Sequence, residues 1–356
     1  MKTEFYRVQF PDCKRYKDSL SVLRVSPDGT PKYVLQLVHG ISEHKERYLP
    51  MMEYMAQRGV QTVLHDLPGH GTTAPSMAQL GILNDPGHDY EFLRMGIDGV
   101  FASLACEDIP EDGTVRVHAE DPDCLPQIPR FLLGHSMGSL IAGLYTARRA
   151  DSLDGLILTG LPFRHRAASL GVLGMTLLEG IHGEEAKPKW VNKLAFAAYN
   201  RQFEPEPESD GQFLWLSCDI ENRYAFLADP YCNYDKAICT YTNLLRMTRD
   251  FHRSSTWDMP RRDLPVLILA GEKDPVAGGD KKILASRKFL RDIGFLHVSA
   301  RMYRGLRHEI LMDWCREQVY SDVLRFCEKH LDAAVRRREA LRAEYEPQFS
   351  ADSPEA

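Results

Sequence analysis

The sequence predicts an α/β architecture, a mostly parallel central sheet flanked by helices and interrupted by one helical insertion. Three observations carry that expectation. Short runs rich in Val, Ile and Leu alternate with longer stretches of helical periodicity, which is how strands and crossover helices are written in a parallel sheet. Several of those runs are continuously apolar instead of alternating, as strands covered on both faces are. The strand pattern also stops after Gly160 and resumes at Leu264, with helical, aromatic-rich sequence between.

Taken in order, "LSVLRVS" (20–26) reads as an antiparallel edge strand. "YVLQLVHG" (33–40) and "TVLHD" (62–66) read as inner strands, with a helix over 48–57 between them. A helix over 89–106 follows. The acidic, proline-bearing segment 107–127 is expected to be a surface excursion. "RFLLGHS" (130–136), a helix over 137–149 and "GLILTG" (155–160) restore the rhythm. The insertion spans 161–259 and includes Trp190, Phe213, Trp215, Phe226 and Tyr241. "PVLILAGEKD" (265–274), a helix over 281–293 and "HVSARMY" (297–303) complete the sheet. The expected organisation is therefore a core from 1–160 and 260–340, a cap from 161–259, and a charged helical end leading to a flexible tail over 341–356.

Composition narrows the function. With 356 residues the chain can bury a large core, and 44% hydrophobic with 26% charged residues is ordinary for a globular protein. A net charge of −6 gives no reason to expect nucleic acid as a partner. The first twenty residues hold no apolar stretch suited to a signal peptide, and no run reaches the roughly 18 apolar residues of a membrane span. The expected location is cytoplasmic. Eight scattered cysteines show no zinc-like spacing and are expected to be reduced. The carboxylate-bearing stretches "EPEPESD" (204–210) and "DPYCNYD" (229–235) lack the pattern of a calcium loop and read as turns, so no metal or other cofactor is expected. The sequence sets no oligomeric state.

One corner carries chemistry. In "FLLGHSMGSL" (131–140) an apolar strand ends at Ser136 and a helix begins just after it, with Gly134 and Gly138 on either side. Such a G-x-S-x-G turn holds the serine strained and exposed at the carboxyl edge of a sheet, with the free N–H groups of the helix aimed at a developing anion. A serine needs a base, and the base an orienting acid, each expected beyond a later strand. Asp274 in "LILAGEKDPV" and His308 in "RMYRGLRHEIL" occupy those places; Glu272 is the competing acid, but it lies closer to the strand body. The expected oxyanion donors are the backbone N–H groups of Met137 and of Ile41, the latter following Gly40 in "LVHGISEH".

Together, "HGISEHKERY" (39–48), "HDLPGHG" (65–71), "GHSMG", "GEKDPV" and "GLRHE" resemble the monoacylglycerol lipase and lysophospholipase branch of the α/β-hydrolase superfamily, over nearly the whole core. One departure is "TT" (72–73), where the family usually has a serine. The resemblance implies the α/β-hydrolase fold with a helical cap inserted after the sixth strand, and ester hydrolysis through an acyl-enzyme. It points to a small-molecule substrate, a single-chain acyl ester with a small polar head. The cap is expected to choose that substrate. In "SLGVLGMTLLEGI" (169–181), Leu170, Leu173, Leu177 and Ile181 form one helical stripe, open to three readings: a helix packed inside the cap, the wall of an acyl channel with Leu170, Leu173 and Leu177 binding substrate, or a lip in transient contact with a membrane surface. An amidase, an aminopeptidase resembling proline iminopeptidases, and a non-catalytic ligand-binding homologue are the rival functions.

Overall fold

The computed structural model describes residues 1–11, 19–85, 89–117, 128–165, 167–203, 213–258 and 261–349. The expected excursion beyond residue 117, the carboxylates at 204–210, Cys13, Cys124 and the last seven residues of the expected tail lie outside them.

Among the described residues nine strands form one sheet: β1 (Lys2–Gln9), β2 (Leu20–Ser26), β3 (Val34–Val38), β4 (Gln61–His65), β5 (Thr114–Arg116), β6 (Arg130–His135), β7 (Gly155–Thr159), β8 (Val266–Gly271) and β9 (Val298–Tyr303). Their order across the sheet is β5-β1-β2-β4-β3-β6-β7-β8-β9. From β4 to β9 all pairings are parallel, and β2 runs antiparallel to both β1 and β4.

Parallel strands need helical crossovers, and these cover both faces. Side chains along each inner strand alternate between two cores. Leu132, Leu158 and Ile268 face a core completed by α2 (Glu91–Ala102), α3 (Met137–Arg149) and α8 (Gly279–Asp292). Their neighbours Leu133, Ile157 and Leu267 face a core completed by α1 (Leu49–Ala56) and α9 (Arg316–Phe349). Burying each such Leu or Ile contributes about 1.5–3 kcal/mol, which is why continuous apolar runs are needed here.

Two strands escape the sequence reading. β1 carries Lys2, Thr3, Glu4 and Arg7 because it lies near the rim and buries few of its residues. The three-residue β5, within the expected excursion, pairs in parallel with β1. With both counted, the insertion follows the seventh strand instead of the sixth. Between β7 and β8 the described chain is helical: α4 (Ala168–His182), α5 (Lys189–Asn200), α6 (Ile220–Ala228) and α7 (Ile238–Phe251). α7 nevertheless belongs by its packing to the core, where Met247 and Phe251 are fully buried. The absence of a side chain on Gly143 of α3 makes room for the Phe251 ring, which a Cβ there would meet at 2.1 Å. At the carboxyl end α9 continues to Phe349, so residues 341–349 extend a helix in the place where a tail is expected. The helix-forming Ala, Leu, Arg and Glu of "REALRAEYE" favour that continuation. Among the described residues no helix is long and apolar enough to cross a membrane, and six cysteines are free thiols.

Candidate active site

The corner between β6 and α3 is built from backbone approaches too close for side chains. A Cβ on Gly134 would meet the carbonyl oxygen of Gly138 at 2.2 Å, and one on Gly138 would meet the carbonyl oxygen of Val38 at 2.1 Å. The corner therefore requires both glycines. Ser136 between them has φ 53° and ψ −119°, a conformation L-residues avoid. It is held there by its own N–H, which donates to the Thr159 carbonyl at 2.8 Å, and by the helix that starts at Met137.

Asp274 follows β8 and His308 follows β9, so parallel strands deliver all three side chains to one edge of the sheet. The Ser136 hydroxyl lies 2.9 Å from His308 Nε2, and His308 Nδ1 lies 2.9 Å from Asp274 Oδ2. A carboxylate only accepts, so Nδ1–H donates to Asp274 and Nε2 is left to accept the serine proton. The second Asp274 oxygen accepts the N–H groups of Val276 and Ala277 at 2.8 and 3.2 Å, which fixes the carboxylate. Glu272 is turned elsewhere and accepts the Gly305 N–H. Burial disfavours charge on His308, but the adjacent Asp274 outweighs it and the net shift is upward from the ordinary imidazole value. His135, packed against His308 with ring centroids 4.9 Å apart, is held well below that value by burial and by His308 itself.

The loop after β3 comes up to the serine. A Cβ on Gly40 would lie 3.0 Å from the Ser136 Cβ, so only glycine lets this backbone pass. The Gly40 N–H donates to Glu43 Oε1 at 2.5 Å, and Tyr48 donates to the same oxygen at 3.0 Å. Ile41, one of the two expected oxyanion donors, lines the cavity beside Ser136; Met137, the other, is buried as the first residue of α3. Behind this loop Arg47 donates to both oxygens of Glu309, at 2.5 and 2.8 Å, and to Glu43 at 3.2 Å. Burial pushes the Glu43 carboxyl upward, against the pull of Arg47. Asp66, from the "HDLPGHG" motif, accepts from Lys45 Nζ at 2.8 Å and from the Thr72 N–H at 2.8 Å. The departure at residue 72 is thus structural, and a Cβ on Gly71 would collide with the Asp66 carboxylate.

A narrow cavity of about 20 Å³ opens beside Ser136. The inserted segment supplies Phe213, Trp215, Leu216, Phe226 and Lys236 to its wall. Trp215 also stacks near His308, with ring centroids 5.2 Å apart. A far larger cleft of about 640 Å³, lined by Phe163, His252 and Phe289 among others, includes none of these residues. Leu170, Leu173 and Leu177 are not in the wall of the Ser136 cavity. Together with Ile181 they are exposed on α4, at 58–74% of full accessibility. α4 turns Gly171 toward Leu245 of α7, which leaves the leucine stripe facing outward, so it is not packed inside the cap.

The sequence reading left Glu43, Arg47, Glu309 and the five cavity residues of the insertion without roles. The first three were legible in "HGISEHKERY" and "GLRHE". Phe213, Trp215 and Phe226 were visible only as members of an aromatic-rich stretch, and nothing in that stretch distinguishes a wall residue from a core one.

Residues 29–314 match the family described as serine aminopeptidase, S33. The chain is 26% identical over 309 residues to a monoacylglycerol lipase of Mycolicibacterium smegmatis, covering 86% of this chain and 91% of that protein. It is 30% identical over 307 residues to a phospholipase of Bacillus subtilis, covering 85% and 97%. A thermostable carboxyl esterase from Bacillus coagulans shares the fold with a TM-score of 0.76 at 23% identity, over 93% of this chain and 99% of that one.

Proposed function

Since the chain belongs to the serine aminopeptidase S33 family, on the α/β-hydrolase fold, we propose that it cleaves single-chain acyl esters, of monoacylglycerol or lysophospholipid type, through Ser136, His308 and Asp274. Its relatives include a monoacylglycerol lipase and a phospholipase, and the chain is a carboxylic ester hydrolase acting on small-molecule esters. His308 takes the Ser136 proton as the hydroxyl attacks the ester carbonyl, and Asp274 keeps Nδ1 protonated and stabilises the imidazolium. The N–H groups of Met137 and Ile41 receive the oxyanion, and water then releases the acyl group. The observation that carries this reading is the unbroken Oγ to Nε2, Nδ1 to Oδ2 relay, at 2.9 Å in each step.

The cavity wall favours an ester over an N-terminal peptide. An aminopeptidase must receive a substrate ammonium, for which a free carboxylate is the natural partner. The two carboxylates bordering this cavity, Glu43 and Glu309, are both taken up by Arg47, and the wall contributes Lys236 instead. Burial draws that amine down to about 8. Four apolar side chains beside it suit an acyl chain. The cavity is far smaller than the roughly 300–1,000 Å³ of a typical ligand site, so substrate entry requires the loop carrying Phe213 to Leu216, or α6 with Phe226, to move. The stripe on α4 is exposed, as are Trp190 and Leu194 of α5, and exposed apolar side chains of this kind suit transient contact with lipid.

The test is a panel of acylglycerols and lysophospholipids of graded chain length, with an acyl amide and proline β-naphthylamide alongside. Turnover of medium or long acyl esters, and fluorophosphonate labelling lost in Ser136→Ala, is expected. Preference for acetyl esters or for the naphthylamide would replace the proposal with a short-chain esterase or a peptidase.

A further inference from the structure

Away from Ser136, three side chains with metal-binding donors come together at the junction of cap and core. One ring nitrogen of His44, one carboxylate oxygen of Asp229 and the thiol of Cys232 provide donor atoms all within 4.8 Å of one another, the one such trio among the described residues. His44 belongs to the loop that follows β3, and the other two belong to the turn that follows α6. We propose that His44 Nε2, Asp229 Oδ2 and Cys232 Sγ bind a borderline-soft divalent cation, zinc above all, which staples the cap to the loop carrying Gly40 and Ile41.

The donor set decides the class of ion. Nitrogen, oxygen and sulfur together suit zinc, whereas magnesium and calcium prefer oxygen alone. The supporting contacts are also those of a metal site. His44 Nδ1–H donates to Glu46 at 2.6 Å, and Glu46 is in turn anchored by Lys45 Nζ at 2.8 Å. That fixes the ring and leaves Nε2 toward Asp229 Oδ2, 2.7 Å away, an arrangement in which a carboxylate on one imidazole nitrogen orients the other toward a metal. The other Asp229 oxygen accepts the Tyr231 N–H at 2.8 Å, and the Cys232 N–H donates to the Asp229 carbonyl at 3.0 Å. This tight turn brings the thiol round beside the carboxylate. Cys232 is completely buried and His44 nearly so, while a quarter of the Asp229 side chain is exposed and supplies both an access route and room for a water as fourth ligand.

A tetrahedral zinc with bonds of about 2.0–2.2 Å to nitrogen and oxygen separates those two donors by roughly 3.3 Å. The His44–Asp229 contact must therefore open by about half an ångström, and the thiol must draw in. On binding, the Cys232 S–H and the His44 Nε2–H bonds break and both protons leave to water as the Zn–S and Zn–N bonds form. The bound ion then carries two anionic ligands and is neutralised on the spot.

Metal-stripped protein titrated with cobalt(II) under reducing conditions tests this directly. One equivalent should produce a thiolate-to-cobalt charge-transfer absorption, and zinc should displace it while raising the Tm of the wild-type protein. Cys232→Ser should abolish the absorption and the zinc-dependent rise in Tm, with its own metal-free Tm checked to show that it folds. Asp229→Asn and Glu46→Gln, both at partly exposed positions, should each weaken zinc binding by about tenfold or more in competition with a chromophoric chelator. No cobalt–thiolate absorption in the wild type would overturn the proposal. So would an absorption that survives Cys232→Ser, or zinc affinity that neither carboxylate variant alters.

Discussion

The floor and the roof of the candidate site are held by different kinds of constraint. On the floor, Ser136, Asp274 and His308 stand at strand ends, and the corner at Ser136 is enforced by Gly40, Gly134 and Gly138, where an added Cβ would strike backbone or a neighbouring side chain. In the roof, Phe213, Trp215, Leu216 and Phe226 reach the cavity from a loop and a short helix, while α4 turns four large apolar side chains to the outside. Backbone geometry fixes the floor, and side-chain packing arranges the roof. Chemistry assigned to the first should therefore respond steeply and all-or-none to substitution, and substrate choice assigned to the second should respond by degrees.

The steepest test removes the nucleophile. Ser136→Ala should lower kcat on a soluble ester by about a million-fold, and Asp274→Asn by about ten-thousand-fold, by analogy with other triads. Both variants should keep near wild-type Tm, since neither removes a packed side chain. If Ser136→Ala turned over p-nitrophenyl butyrate at near the wild-type rate, the floor would not be where the reaction happens.

The same contrast explains what was legible in the sequence. Gly134, Ser136 and Gly138 lie within five residues of chain, and their spacing alone encodes the turn; Asp274 and His308 could be found because strands announce where such residues must sit. The outer strands β1 and β5 were missed because near an edge there is little burial to impose an apolar pattern. Leu170, Leu173 and Leu177 were correctly grouped as a stripe, but periodicity shows only that a face exists. Which way that face turns depends on α7, seventy residues later. The His44–Asp229 contact joins residues 185 positions apart, so "DPYCNYD" by itself reads as a turn.

Between floor and roof lies Arg47, buried against Glu43 and Glu309 below and bonded to Asn222 of α6 above at 3.1 Å. Arg47→Met leaves two buried carboxylates facing each other without a cation. Unfolding by urea at pH 7 should show a loss of about 3–5 kcal/mol, the usual cost of orphaning a buried charge. Arg47 is what holds the Glu43 carboxyl down against burial, so without it the variant takes up a proton on folding and its deficit should narrow as the pH falls toward 5. A deficit independent of pH would mean that Arg47 acts through packing on Phe226, whose ring lies 5.2 Å from its guanidinium, and not through charge.

His308 gives the floor a pH signature of its own. Asp274 raises its pKa despite burial, so the acid limb of kcat/KM for a soluble ester should have its midpoint above the ordinary value of 6.5. Below that midpoint activity should fall about tenfold per pH unit, as the protonated base can no longer accept from Ser136. Stability should run the other way. A raised folded pKa contributes stability that is fully present below the unfolded value and is lost as pH rises through the folded value. Asp274→Asn should move the acid limb downward, and an unmoved limb would assign it to another group.

The smallest effect on chemistry should come from the roof's outer surface, and that is its diagnostic. Leu173 and Leu177 are 58% and 61% exposed and touch no part of the Ser136 cavity. Replacing both by Ser should leave hydrolysis of a soluble ester unchanged and should shift stability by no more than about 0.5 kcal/mol per site, as exposed substitutions do. Binding to lipid vesicles is a different matter, because there each leucine would transfer part of its apolar area out of water. If about half the 1.5–3 kcal/mol of full burial is realised at an interface, affinity should drop on the order of three- to tenfold per leucine. Turnover of acylglycerol presented in vesicles should fall with it, through KM and not kcat. Equal losses on soluble and vesicle-bound substrate would instead make α4 a structural support of the cavity, and the division between floor and roof would have to be redrawn.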